Sequence, residues 1–237
     1  MSGSSPRAAS GPADVPTVAE PAPSGVPATA RPAPDDGVPG TLVVVVGASG
    51  SGKDSLLAAA REAFAGDPAV HFVERTVTRP PGDAHEPHAS VTEAEFEALA
   101  ARGAFAVEWG AHGLRYGVPR SAHDALAAGS LVVLNGSREA LGRIAAAFPG
   151  RREIVHVTVS RDRLETRLRA RGRESEAAIE RRLARKVDPV VADDPVWRLD
   201  NNGTLADASR RFVARLGALV PGRAVPAPET SRPGRTG

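Results

Sequence analysis

Val43-Val44-Val45-Val46-Gly47-Ala48-Ser49-Gly50-Ser51-Gly52-Lys53-Asp54-Ser55 is the stretch whose reading decides the fold. Four β-branched apolar residues run into a glycine-rich turn, and the turn opens into a helical pattern. That strand–turn–helix context is what a phosphate-binding P-loop needs. Gly47, Gly50 and Gly52 let the backbone curl through Ala48, Ser49 and Ser51, so that successive N–H groups point into one cavity. A helix N-terminus lies behind them, and such a nest binds phosphate oxygens. Lys53 reaches over the loop to the β- and γ-phosphates of a nucleotide. The pattern G-x-x-x-x-G-K is met, but Asp54 stands where a Ser or Thr hydroxyl usually ligates Mg²⁺, and Ser55 follows one place later. A carboxylate is also a hard oxygen ligand, so Asp54 and Ser55 are both candidate metal ligands. Without a metal, Asp54 would repel the phosphates, so the exchange argues for Mg²⁺ dependence. The competing reading is a glycine-rich turn with no ligand; the strand, the lysine and the helix weigh against it.

Outward from this loop, strand-like and helix-like patterns alternate. Strands are expected at Thr41–Val46, Val70–Thr78, Ala104–Trp109, Ser130–Leu134, Ile154–Val159 and Trp197–Leu199. Helices are expected at Asp54–Phe64, from the capping box Thr92-Glu93-Ala94-Glu95 to about Arg102, and at Ser121–Ala128 and Arg138–Ala147. Further helices are expected at Arg161–Arg171 and Ser175–Val187, hinged at Gly172, and at Leu205–Leu219. Alternating βα units of this length predict an α/β fold, a central parallel sheet flanked by helices on both faces. Ligands in such folds sit beyond the C-terminal ends of the strands, where the P-loop also lies. Residues 1–39 and 222–237 are rich in Pro, Ala, Ser and Gly and bury too little to offset the entropy of ordering. They are read as a disordered extension and tail around one domain, residues 40–221.

Composition narrows the chemistry. The chain has 237 residues, 41% of them hydrophobic, enough for one sizeable core. It has no cysteine, which excludes disulfides, thiolate metal sites and a cysteine nucleophile. No apolar run approaches the roughly 20 residues of a membrane span, and no secretory signal is visible, so a cytoplasmic location is expected. The net charge is only +2 with a pI near 9.6, and arginines crowd the second half. Phosphorylated metabolites and ATP account for them more economically than nucleic acid.

Beyond the P-loop, Arg79 closes the segment Arg75-Thr76-Val77-Thr78-Arg79. It is placed to clamp a substrate phosphate or, alternatively, is a solvated arginine before a proline-rich loop. The stretch from Glu108 to Pro119 reads as a loop dense in functional side chains, with Glu108 after a strand and Tyr116-Gly117 near a flexible backbone. Its alternative is a surface turn anchored by Trp109. The arginines from Arg161 to Arg185 read as a solvated helical face, an RNA-binding stripe or a mobile lid that brings arginines onto a transferring phosphoryl group.

Taken together these pieces resemble the guanylate-kinase-like family of P-loop kinases. The resemblance rests on Gly47 to Lys53, Thr76-Val77-Thr78-Arg79, Glu108 with Tyr116-Gly117, Arg167-Leu168-Arg169-Ala170-Arg171-Gly172-Arg173-Glu174-Ser175, Arg182-Leu183 and Asn201. It implies a P-loop NTPase fold with a helical lid and a small substrate-binding insertion. It further implies that Arg167, Arg171 and Arg182 are lid arginines acting with Lys53 and that Asn201 lies near the adenine. Departures decide the acceptor. His88 stands where a guanylate kinase has a tyrosine, a second arginine after Arg79 is missing, and Asn135-Gly136-Ser137 replaces an acidic residue. With Asp54, His88, the Asn135-Gly136-Ser137-Arg138 turn and Arg171-Gly172-Arg173-Glu174, the chain is similar to the ribose 1,5-bisphosphate phosphokinase branch of that family. That similarity implies transfer of the ATP γ-phosphoryl group, with Mg²⁺, to a small phosphorylated sugar. Arg79 and Arg75 would then hold a substrate phosphate, with Glu108 and Tyr116 lining the acceptor site. Asn135 and Ser137 suit the ribose hydroxyls, and His88 is either a phosphate contact or a surface histidine. A guanylate kinase and a non-catalytic binding module remain the rival expectations; oligomeric state is open.

Overall fold

A computed structural model describes residues 40–79, 87–111, 113–170, 176, 179, 180, 183 and 194–223. In chain order the elements are β1 (Thr41–Gly47), α1 (Lys53–Ala63), β2 (Val70–Phe72), β3 (Arg75–Val77), β4 (His88–Ser90), α2 (Glu93–Ala101), β5 (Phe105–Ala111) and β6 (Leu114–Pro119). They continue with α3 (Ser121–Ala127), β7 (Leu131–Asn135), α4 (Leu141–Ala147), β8 (Arg152–Thr158), α5 (Arg161–Ala170), β9 (Val196–Asp200) and α6 (Leu205–Leu219). Five strands form a parallel sheet in the order β2-β7-β1-β8-β9. β1 lies at its centre because a strand covered on both faces needs an unbroken apolar run. Val43, Val45 and Val46 have no exposed surface at all, and each such burial contributes roughly 1.5–3 kcal/mol.

The period of two splits that core. Val43 and Val45, with Val155 and Val157, face Leu56 and Leu57 of α1 and Phe212 and Leu216 of α6. Val44 and Val46, with Leu134 and Ile154, face the other way. There they meet Ile144 of α4 and a second sheet, ordered β4-β3-β6-β5, whose Val77, Val107, Trp109 and Tyr116 belong to the same apolar cluster. That second sheet is the expected small insertion. Its β3–β4 pair is parallel, and β3–β6 and β5–β6 are antiparallel.

Several expectations change. Val70–Thr78, expected as one strand, is two strands in two sheets: β2 pairs with β7, and β3 pairs with β4 and β6. The Val73 N–H still reaches the Val133 carbonyl at 2.9 Å, and the chain leaves the main sheet after it. Both pieces are extended and alternate alike, so sheet membership is a tertiary property that periodicity does not carry. Glu108–Pro119 is not a loop but the body of the β5–β6 hairpin, paired from Phe105↔Pro119 to Ala111↔Leu114. Gly117 is needed there for packing: a Cβ at that position would lie 2.5 Å from the Phe105 ring. The helix expected at Arg138 begins with a 3₁₀ turn, Arg138–Ala140, before α4.

The capping box forms as expected: Thr92 Oγ1 accepts from the Glu95 N–H at 3.2 Å, and Glu95 Oε2 accepts from the Thr92 N–H at 2.7 Å. The described chain runs on through Gly222 and Arg223, past the expected domain end, with Arg223 donating to Asp67 at 2.6 Å. The expected extension 1–39, most of the expected tail, the Gly172 hinge and most of the helix expected over 175–187 lie outside the described residues. Among the described residues no helix is long and apolar enough to cross a membrane.

Candidate active site

The P-loop turns between β1 and α1 as the glycines predict. Gly50 (φ +88°) and Gly52 (φ +93°) adopt left-handed backbone that other residues enter at a cost. Both are also crowded: a Cβ on Gly50 would lie 2.8 Å from Leu164 Cδ1, and one on Gly52 would lie 2.4 Å from Asn201 Nδ2. Lys53 opens α1, and its ammonium donates to the carbonyls of Gly47 (2.9 Å) and Ala48 (3.1 Å). The cation is therefore held along the loop that cradles phosphate.

Outside the loop sits a brace. Asn201, 1% exposed, donates from Nδ2 to the Ser51 carbonyl at 2.7 Å. The Arg167 guanidinium donates to the same carbonyl at 3.4 Å and to the Asn201 carbonyl at 2.8 Å. The Asn201 N–H is itself tied to Thr158 at the end of β8, at 2.9 Å. α5 and the turn after β9 thus grip the P-loop backbone at Ser51. Arg167, expected to act on the transferring phosphoryl group, here donates to the Ser51 and Asn201 carbonyls. Asn201 Oδ1 and Ser51 Oγ are buried and have no hydrogen-bond partner among the described residues.

Asp54 and Asn135 come together across the mouth of the sheet. Asn135 ends β7 beside β1, in register with Val45. Its side chain points to the α1 face, where Nδ2 donates to Asp54 Oδ1 at 3.4 Å. Ser55, the other candidate metal ligand, is exposed, as is Ser49, and Ser137 is half-buried.

The acceptor-side residues lie on the second sheet. Arg75 and His88 are register partners on β3 and β4, so they share one face. That face is the one carrying Val77 and Tyr116, which turns toward the main sheet. The Arg75 guanidinium lies 5.2 Å from the centre of the Tyr116 ring, and Tyr116 stacks on Trp109 at 5.5 Å. The ring of His88 is within 3.1 Å of Ser90 Oγ. Arg79 follows β3 and is half-buried. Glu108 projects to the opposite face of β5, where Arg115 pairs with its Oε1 at 3.3 Å while Oε2 is buried without a hydrogen-bond partner among the described residues. The register thus brings Arg75, His88 and Tyr116 onto one face, while Glu108 lies on the opposite face of its sheet. Arg171 and Arg182 lie outside the described residues.

One residue escaped the sequence reading. His156, in the middle of β8, is 5% exposed, and neither ring nitrogen has a hydrogen-bond partner among the described residues. Burial, and then the charges of Arg138, Arg198 and Lys53, hold its imidazole below the usual histidine range. The available signal was a titratable side chain inside the apolar run Ile154-Val155-His156-Val157 of β8.

Comparison with known proteins places this geometry. No family model matches the chain. It is 46% identical over 181 residues to the ribose 1,5-bisphosphate phosphokinase PhnN of Rhizobium etli, covering 76% of this chain and 91% of that protein. It is 50% identical over 177 residues to the protein of the same name from Pseudofrankia inefficax, covering 74% of this chain and 90% of that one. Among solved structures, a guanylate kinase from Anaplasma phagocytophilum matches with a TM-score of 0.54 and 18% identity, over 77% of this chain and 87% of that chain. The last likeness is one of fold alone.

Proposed function

The chain belongs to the ribose 1,5-bisphosphate phosphokinase family, and from that membership we infer an ATP-dependent kinase that phosphorylates ribose 1,5-bisphosphate to 5-phosphoribosyl 1-diphosphate. The observation that carries the reading at the site is the arrangement of the two sheets. A P-loop with its lysine follows β1 of the main sheet, and Arg75, His88 and Tyr116 share the face of the second sheet that turns toward the main one. An oxygen of the 1-phosphate attacks the γ-phosphorus of ATP. A new P–O bond forms, the bond from the γ-phosphorus to the bridging oxygen breaks, and ADP leaves with that electron pair. The attacking oxygen is already anionic at neutral pH, so the reaction needs no strong general base. Catalysis reduces to positioning and charge neutralisation.

The roles divide accordingly. Backbone N–H groups from Gly47 to Lys53 cradle the nucleotide phosphates, and Lys53 neutralises charge on the γ-phosphoryl group. Arg167 and Asn201 hold the cradle in shape at Ser51. Arg171 and Arg182 are the lid arginines proposed for the transferring group. Arg75 and Arg79, with His88, take a phosphate of the acceptor, while Tyr116 packs beneath Arg75 and Glu108 orients Arg115. Asn135 and Ser137 border the sugar.

The donor set fits Mg²⁺. Among the described residues there is no cluster of three or more candidate protein ligands, and this cation is commonly held by one or two carboxylates plus phosphates and water. Asp54, oriented by Asn135, is the side chain that would hold it, with Ser55 the alternative. Bound there, the cation would offset charge on the β- and γ-phosphates. We place the enzyme in the cytoplasm, acting on a small phosphorylated sugar and not on nucleic acid.

The test is transfer of label from γ-labelled ATP to a panel of acceptors that includes ribose 1,5-bisphosphate and GMP. The expected product is labelled 5-phosphoribosyl 1-diphosphate. Preferred turnover of GMP would instead make the protein a guanylate kinase, and ATP binding without transfer to any acceptor would make it a binding module.

A further inference from the structure

His156 has no part in the roles above, yet its position is costly. A polar group buried without a partner destabilises a fold by roughly 1–3 kcal/mol, and such groups in native structures call for an explanation. A valine or leucine would fill this strand position at no such cost, as the neighbours Val155 and Val157 show.

The register fixes which way the imidazole faces. His156 is paired with Val46 on one side and with Arg198 on the other. Val46 lies on the face that meets the second sheet, as do Ile154 and Val44. The imidazole therefore faces the same interior as Tyr116, Arg75 and His88, from the opposite wall. Val46 immediately precedes Gly47, the first residue of the P-loop, so this wall position lies next to the transfer point. Three cations act on it from three elements: Lys53 from α1, Arg138 from the turn after β7 and Arg198 from β9. A neutral imidazole offers one N–H donor and one acceptor. Under the influence of three cations, and with no hydrogen-bond partner for its donor among the described residues, it suits a phosphate oxygen.

We propose that His156 is a substrate-binding residue, donating a ring N–H to a phosphate oxygen of the acceptor in an anion subsite shared with Arg138 and Arg198. The subsite is separate from the P-loop cradle. It deepens the reading of the acceptor as ribose 1,5-bisphosphate and rests on it for the identity of that ligand. An acceptor with two phosphate groups needs two anion-binding places outside the ATP cradle. Arg75 and Arg79 provide one on the second sheet, and His156 with Arg138 provides the other on the main sheet, beside the reacting end.

Two variants test this. His156→Leu removes both ring nitrogens at similar volume, and His156→Gln keeps a donor. For His156→Leu the expected result is an unchanged or raised thermal midpoint without ligand, together with a KM for ribose 1,5-bisphosphate raised about tenfold or more. The KM for ATP stays within about twofold, and His156→Gln falls between the variant and the wild type. An unchanged acceptor KM in His156→Leu overturns the proposal, and so does a rise confined to the ATP KM. A second measurement needs neither turnover nor the leucine variant. The His156 imidazole resonances of the wild type, assigned by their loss in His156→Gln, are followed as inorganic phosphate or ribose 1,5-bisphosphate is added. Shifts that saturate with either anion support the subsite, and resonances that ignore both refute it. If wild-type protein fails to phosphorylate ribose 1,5-bisphosphate, the proposed acceptor is wrong, and the titration with inorganic phosphate still decides the anion subsite.

Discussion

Asp54 and Asn135 are best understood as a pair. P-loop enzymes commonly present a hydroxyl after the lysine and a carboxylate at the end of a neighbouring strand. Here the carboxylate is on the helix and the amide on the strand, joined by a hydrogen bond of 3.4 Å. On the proposed reading one acidic group would serve the metal in either arrangement, so the exchange would conserve the charge that Mg²⁺ meets. Asp54→Ser should therefore raise the Mg²⁺ concentration for half-maximal activity about tenfold, and Asp54→Ser with Asn135→Asp should recover much of the loss. Mg²⁺ titrations of ADP release, with calorimetric titration of ATP binding, measure both variants. Additive losses would show that the two residues act independently. His156 carries a prediction of another kind. Its folded-state pKa is lowered, chiefly by burial. Above the unfolded pKa, near 6.5, both states are neutral and the group contributes nothing to the pH dependence. Below it the unfolded chain takes up a proton that the folded chain refuses. Stability should therefore fall as pH drops below about 6.5, by up to about 1.4 kcal/mol per pH unit from this group. His156→Leu should flatten that part of the profile in denaturant melts between pH 5 and 7.

Elements show why some of the site was legible and some was not. The P-loop could be read because three signals coincide locally: a strand, glycines and a lysine. The cap of α2 was equally local, with Thr92 and Glu95 satisfying each other's orphan groups. The brace on the loop was not legible, since Ser51, Arg167 and Asn201 meet through sheet order rather than spacing. Arg167 illustrates this well: its motif assigns it to a lid, but only coordinates show its guanidinium on two backbone carbonyls. That geometry requires a planar fork, so Arg167→Lys should fail nearly as badly as Arg167→Ala. We expect the KM for ATP to rise about tenfold in both with the melting temperature changed little, whereas a rescuing lysine would mean that charge alone matters. The packing of α6 on β8 depends on another pair invisible to periodicity. Glu153 is 5% exposed and is bound by both Arg215 Nε (2.7 Å) and Nη2 (2.5 Å). Arg215→Met strands a buried carboxylate and should cost about 3 kcal/mol in urea unfolding. Adding Glu153→Gln should return part of that cost, because an amide is cheaper to bury unpaired than a charge.

At the scale of the whole molecule the question is how much of the chain the chemistry needs. The two sheets share one apolar cluster, in which Val44, Leu134 and Ile154 of the main sheet pack with Val77, Trp109 and Tyr116 of the second. The two walls of the proposed acceptor site would thus be fixed to each other by core packing. The alternating pattern foretold the main sheet; it did not foretell the second, because the expected strand over 70–78 divides between the two sheets and the Glu108–Pro119 segment reads as a loop until Phe105–Ala111 is seen paired with Leu114–Pro119. All the residues of both walls, and the P-loop between them, fall between Gly40 and Arg223. The relatives named above are covered over 90% or more of their own length by about 180 residues of this chain. Residues 1–39 have the composition of a segment with little apolar surface to bury. A chain beginning at Gly40 and ending at Arg223 should therefore keep kcat and both KM values within about twofold and melt within a few degrees of the full chain. The end point matters more than the start. Stopping at Pro221 removes Arg223, which pairs with Asp67 at 2.6 Å and lies over the Phe64 ring at 5.9 Å. That pair is partly exposed, so its loss should cost no more than about 1 kcal/mol. Parallel melts and acceptor assays on the two truncated chains and the full chain decide the matter: a large loss of activity on removing 1–39 would mean that the extension takes part in the reaction.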